Sequence, residues 1–393
     1  MKMLKKALCA VFAGAVMLSA AAVTASAGSS GYLTVNGKRA AKISSAGTYT
    51  MINTGDPSTN AAALQKALSG NSKRKVVLPK GTYRIDKGIT VGSNKTLVAT
   101  GVKVVQTDPQ RQLINNACTR VNYGSLSNVS IEGGTWYISG NEKMLRDTST
   151  IRFNHANNIK LRNCTIYTNF RSHGVEFIAC RNVGMYKCKV ITKGTAPKDC
   201  IEEAVQIDVA TAKTAPTCAS VGDKFVKGQT CENIRLEGCI ISGGRAVCCN
   251  KTDTENNKYA AKMHRNITVV GCTLKGLTAE GLVLHNVHGF TVKNNTIISY
   301  CKNKEKLYSC GINAMVFGKF GDYGKYKNVI SGNTVKGTRF AVSVGSRSGA
   351  GGKYGTVTVT GNKLYCTRGK NYVLHVTDVS KYVHKGNSAY KWA

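Results

Sequence analysis

Acidic residues are the scarce class in this chain: 20 Asp and Glu among 393 residues, against 55 Lys and Arg, for a formal net charge of +35. Long apolar runs are missing as well. Ala7 to Ala20 is too short to cross a bilayer, and no later stretch reaches the ~20 apolar residues that a crossing requires. No cysteines stand in paired CxxC spacing, which argues against a cysteine-held metal. The basic residues are scattered and match no nucleic-acid module, so nucleic acid is not an expected partner. Their densest cluster, "SKRK" at Ser72 to Lys75, reads as a solvated loop.

The start of the chain carries Lys2, Lys5 and Lys6, then the apolar run, then "ASA" ending at Ala27. This is the pattern of an export signal over residues 1–27. Cys9 has no lipobox before it and "NSAYKWA" at the end shows no sorting signal, so a secreted, soluble product is expected; a monomer is expected as well. Removing the signal takes three lysines and no acids, lowering the net charge from +35 to +32. Such an excess serves solubility or attracts a polyanion; outside a cell the latter means uronic-acid, sulfated or other anionic polymers.

Eight segments repeat a pattern, among them "NVSIEGGTW" from Asn128, "NIKLRNCTI" from Asn158, "NVGMYKCKV" from Asn182, "NIRLEGCII" from Asn233 and "NITVVGCTL" from Asn266. Apolar residues alternate, a small or polar pair follows, then another apolar residue, which is strand periodicity. Recurrence on the scale of a few tens of residues indicates a solenoid, and short strand-rich rungs indicate a β-helix. The seventh position reads Gly134, Cys164, Cys188, Cys239, Cys272, Asn295, Asn333 and Asn362. Rungs stacked ~4.8 Å apart turn this position into one column. Its asparagines bond to each other and to the backbone, and its cysteines form a buried thiol ladder, their Cβ vectors running parallel rather than converging. Cys218 with Cys231, and Cys301 with Cys310, fall in apparent loop insertions and are the expected disulfides.

A second alternating strand precedes each repeat, as in "TIRFN" at Thr150, "GVEFI" at Gly174 and "AVQID" at Ala204. One helix is expected, at Thr59 to Leu68, covering the open end of the stack. The reading is all-β: a right-handed parallel β-helix over residues 75–393, preceded by an N-terminal segment with the capping helix over 28–74. "NTGDPSTNAAALQKAL" from Asn53, "KVVLPKGTYRI" from Lys75 and "HGVEFIACRNVGMYKCKV" from His173 resemble pectate-lyase-like right-handed parallel β-helix proteins, in particular secreted bacterial members. That resemblance implies the fold; lyases, hydrolases, isomerases and non-catalytic surface proteins share it. The polygalacturonase pattern of paired aspartates is absent, and so is a lyase arginine motif. "HG" at His173 is similar to the polygalacturonase histidine motif without its partners.

"DCIEEAVQID", Asp199 to Asp208, gathers four of the 20 acids into ten residues. With Val205 and Ile207 pointing in, Gln206 and Asp208 point out, and one rung earlier so does Glu176. The outward rows then run Arg152, Glu176, Gln206, Val247, Val283, Asn313 and Asn154, Ile178, Asp208, Cys249, His285, Met315. His173, Glu203 and Glu280 start their strands, where a turn can rotate them outward. Glu176 and Asp208 stand roughly 8 Å apart by strand geometry, inside the ~6.5–9.5 Å that an inverting glycosidase needs. The expected catalytic residues are therefore Glu176, Asp208, Glu203 and His173, lining one solvent-facing cleft. Arg245, His285 and Gln206 are expected to bind substrate. No cofactor is required by these residues, although Glu176, Glu203 and Asp208 together suit a calcium ion. The plainer alternative is a solvated acidic loop among basic neighbours. The expected function is cleavage of an acidic polysaccharide by a hydrolase or lyase; the alternative is a non-catalytic glycan-binding β-helix.

If the positive charge serves a polyanion, retention on immobilised pectate will weaken steeply as salt rises, because screening shortens the reach of exposed charges. Retention indifferent to salt would point to a neutral sugar, and none at all to solubility.

Overall fold

Val, Ile, Leu and Phe at alternate positions wind the chain into rungs, most strands turning one side into a shared core. The computed structural model describes residues 31–109, 111–144, 148–251, 262–319, 323–347 and 351–393; the expected export signal lies outside them. Three sheets of 15, 11 and 10 strands run the length of the solenoid. A typical rung is Ala156–Arg162 in the first sheet, Thr165–Asn169 in the second and His173–Ile178 in the third. Each strand pairs in parallel with its counterpart one rung on, as Ile159 with Val183 and Val175 with Val205. The result is a parallel β-helix.

The N-terminal segment is continuous with the stack. Gly31–Val35 and Lys38–Ile43 form an antiparallel pair, and Thr48–Met51 then runs parallel to Arg74–Val77 in the first sheet. The helix spans Pro57–Leu68 and buries Ala61, Ala63, Leu64, Ala67 and Leu68. Asp56 caps it, its carboxylate accepting from the Ser58 and Thr59 amides at 3.2 Å each, while Pro57 takes the first helical position, where no donor is needed.

The inward column forms as its spacing demands. The Cys239 amide donates to Cys272 Sγ at 3.3 Å, and the Cys272 amide to Asn295 Oδ1 at 2.7 Å. Asn295, Asn333 and Asn362 continue it, each amide donating to the next side-chain oxygen, and Asn387 extends it one rung further. Cys164, Cys188, Cys239 and Cys272 are free and buried. The first repeat position makes a second ladder, on the surface. Asn128, Asn158, Asn182, Asn233 and Asn266 all sit at φ between 55° and 59°, a left-handed conformation that Asn tolerates better than most residues. Asn158 donates to Asn128 at 2.8 Å and Asn266 to Asn233 at 2.9 Å.

Both expected disulfides are corrected. Cys218 bonds to Cys118, 100 residues earlier, with Cα atoms 5.5 Å apart. Cys231 is a free thiol: the chain has already returned to the solenoid wall there, and Cys231 stacks on Cys180, whose amide donates to its sulfur at 3.2 Å. Cys301 and Cys310 remain thiols and are not joined to each other. Their loop leaves the second sheet after Thr296–Ser299 and enters the third at Ile312–Val316, so its two ends belong to different walls.

Burial and the hydrogen bonds along the column shield its four thiols. Alkylation of the native protein followed by mass spectrometry should leave Cys164, Cys188, Cys239 and Cys272 unmodified, and the same treatment after denaturation should label all four. Disulfides among them would break the column.

Candidate functional site

The outer face of the third sheet carries the charged residues. Three strands matter: Ser149–Asn154, His173–Ile178 and Glu203–Asp208, with Arg245–Cys249 and Leu282–His285 stacked beyond them. In each, inward apolar residues such as Val175, Phe177, Val205 and Ile207 join the core and send their neighbours outward. Arg152 pairs with Glu176 and Glu176 with Gln206, so the first outward row begins as the alternation requires.

At the next rung the register differs from the expected one. Val205 stacks on Val247 and Ile207 on Cys249, which places Val247 and Cys249 in the core. Cys248 is the outward residue beside Gln206, and Asn250 follows it beside Asp208. Arg245 sets this register. Its strand pairs Arg245 with Glu203, and the guanidinium reaches Glu203 Oε1 at 3.2 Å and Glu280 Oε2 at 2.8 Å.

The predicted site residues do converge. Glu176, Gln206, Asp208, Glu203, His173, Arg245 and His285 all line one cleft of about 390 Å³. It is not the open strip expected from the rows. Glu176 is 2% exposed and Asp208 1%, although both point away from the core. Loop residues close over them: Ile201 and Glu202 on one side, Lys213 and Thr214 from the long connection after Asp208, and Lys251. Those residues escaped the row arithmetic, which counts strand positions and says nothing of where a loop returns. Ser149 escaped it too, although it stacks in register on His173.

Burial without solvent makes the pairing of each charge decisive. Glu176 Oε2 accepts from Arg152 Nε and, at 2.5 Å, from Ser149 Oγ. Arg245 is clamped between Glu203 and Glu280, and Glu280 also accepts from Asn313 at 3.0 Å. His173 Nδ1 lies 3.0 Å from the Glu203 carbonyl, and Nε2 lies 3.7 Å from Glu202 Oε1. Burial pushes this imidazole down, but the carboxylates of Glu176, Glu203 and Glu202 outweigh it and hold His173 above its ordinary value. His285 goes the other way. Burial first, then Arg245 and Lys251, hold it well below the usual range, so it is neutral.

Asp208 stands out. Burial, and then the negative charges of Glu176 and Glu203, raise its carboxyl well above the usual range; Arg152 and a hydrogen bond from Asn250 oppose this without winning. Its Oδ1, and His285 Nε2, have no hydrogen-bond partner among the described residues. Two buried polar atoms thus face a cleft that a ligand can fill. Among the described residues, the group placed to share an ion is His173, Glu202 and Glu203, whose ligand atoms lie within 4.8 Å of one another.

Comparison with solved structures finds the same architecture. The surface protein and adhesin PfbA of Streptococcus pneumoniae superposes with a TM-score of 0.59, over 85% of this chain and 95% of that one, at 13% identity. A polygalacturonase from Erwinia carotovora superposes with a TM-score of 0.53, over 88% of this chain and 94% of that one, at 14% identity. This is the right-handed β-helix of the pectin-lyase-like fold. No family model matches the chain, and no curated protein is similar to it. At these identities the likeness is one of fold.

The Asp208 proton leaves a mark on stability. The folded β-helix keeps that proton to higher pH than the unfolded chain does. Between the ordinary carboxylate range and the raised native value, the unfolded chain therefore binds fewer protons, and stability falls as pH rises. Asp208→Asn removes that slope. Thermal melts from about pH 4 to about pH 7 should show the variant gaining on the parent as pH increases. A variant that loses ground over this range would mean that Asp208 is ionised in the folded state.

Proposed function

We propose that this cleft hydrolyses glycosidic bonds in an acidic polysaccharide, with Asp208 as the general acid. The observation that carries the reading is a buried cleft carboxyl whose Oδ1 has no hydrogen-bond partner among the described residues and which burial, Glu176 and Glu203 raise well above the usual range, beside glutamates paired with arginines. Asp208 would give its proton to the departing glycosidic oxygen. Water attacks the anomeric carbon and passes its proton to Glu203, the carboxylate that Arg245 holds in place; Glu203 then releases that proton to solvent and Asp208 takes one up, which restores the cleft.

The remaining groups position and recognise. Glu176, tied to Arg152 and Ser149, supports the Asp208 proton through its charge rather than touching the reacting bond. Lys213 and Lys251, from the covering loops, suit the carboxylates or sulfates of the polymer, and Gln206, Arg245 and neutral His285 suit its hydroxyls. A divalent ion in this cleft would be held by Glu202, Glu203 and His173, a set whose imidazole suits a transition ion better than calcium. Export, as residues 1–27 lead one to expect, would bring the cleft to an extracellular substrate.

The likeness to an adhesin favours a second reading, in which the same cleft binds a glycan and leaves it intact. Incubation of the purified protein with polygalacturonate and sulfated glycans separates the two. Hydrolysis releases reducing ends without unsaturated products, and Asp208→Asn should lower the rate by a factor of about 10²–10⁴ while the variant still binds. Unsaturated products would replace hydrolysis with elimination, and binding without any product would establish the adhesin-like reading.

A further inference from the structure

The second sheet has an outer face unlike the other two. None of its strands, from Gly81–Ile85 to Ser388–Lys391, carries an aspartate or glutamate. The first sheet holds Glu132, Glu232 and Glu237, and the third holds Glu176, Glu203 and Asp208. What the second sheet presents outward is chiefly lysine, threonine and tyrosine, with isoleucines and a serine between them. Register places Tyr167, Ile191, Ser242, Lys275, Ile298, Lys336, Tyr365 and Tyr390 in one row, each on the next rung.

Aromatic rings and ammonium groups are interleaved at both ends of that row. Tyr137 meets Tyr167 edge-on with centroids 6.2 Å apart, Lys103 Nζ lies 5.4 Å from the Tyr137 ring and Lys193 Nζ 4.9 Å from the Tyr167 ring. At the other end Tyr365 and Tyr390 stack at 4.7 Å, and Lys336 Nζ lies 5.2 Å from Tyr365 and 5.7 Å from Trp392. The row from Tyr137 to Tyr390 is roughly 40 Å long at the rung spacing.

A face that serves solubility mixes charges of both signs. This one excludes acids over every rung while keeping rings half-exposed between the lysines. We propose that the outer face of the second sheet is a non-catalytic binding surface for an anionic polysaccharide lying along the solenoid. Sugar rings stack on Tyr365, Tyr390 and Trp392, and carboxylate or sulfate groups meet Lys193, Lys275 and Lys336. The surface is on a different wall from the cleft and does not depend on the cleft being an enzyme. It gives the polymer a second hold, so that one long chain can be retained while the cleft engages another part of it.

The test uses polygalacturonate as the probe, in the Asp208→Asn background so that no cleavage intervenes. Lys193→Gln, Lys275→Gln and Lys336→Gln together should weaken binding about tenfold or more at physiological salt. A control removes the same charge from the first sheet by Lys160→Gln, Lys293→Gln and Lys327→Gln, and should leave binding within about twofold. Tyr390→Ala should weaken binding in a way that added salt does not mask. Should a triple variant fail to fold, its single substitutions carry the same comparison. Equal losses from the two sheets would reduce the effect to net charge and overturn the proposal. So would tighter binding of a single-stranded oligonucleotide than of polygalacturonate, or unchanged binding after the second-sheet substitutions.

Discussion

Every feature of this protein depends on one constraint, the in-register stacking of each rung on the one before. Backbone hydrogen bonds along three parallel sheets set the spacing, and the inward column of thiols and amides prevents a rung from slipping. A one-residue slip would turn the core outward and break that column at the same time. The column is thus a register device as much as a source of stability, and cysteine and asparagine are interchangeable in it because both are small and can bond along the axis.

Stacking also explains how a basic protein keeps buried acids. Successive rungs bring Ser149, His173, Glu203 and Arg245 into one column and Arg152, Glu176 and Gln206 into the next. Most of these charges find a partner one rung away, which offsets the desolvation that the covering loops impose. Asp208 is the exception: burial and the charges of Glu176 and Glu203 raise its carboxyl well above the usual range. The acid-rich cleft and the acid-free face thus occupy different walls, the third sheet and the second.

The alternation of apolar residues and the recurring Asn and Cys positions made the solenoid legible without coordinates, as did the helix at its open end. The outward placement of Glu176, Gln206 and Asp208 was legible too, because a period of two leaves no choice of face once Val205 and Ile207 are assigned to the core. "GRAVCCN" was not. Val247, Cys248 and Cys249 are all plausible on either face, and the clamp of Arg245 between Glu203 and Glu280 chose between them.

By itself the sequence determined the repeat, the inward column and the gathering of acids on one wall, since each follows from local periodicity. The tertiary structure alone decided that the wall is buried, that Cys218 joins Cys118 rather than Cys231, and that the Asp208 carboxyl is raised above its usual range. Those outcomes depend on where loops return and on which charges meet across rungs. They are distances between residues far apart in the chain, and no local pattern encodes them.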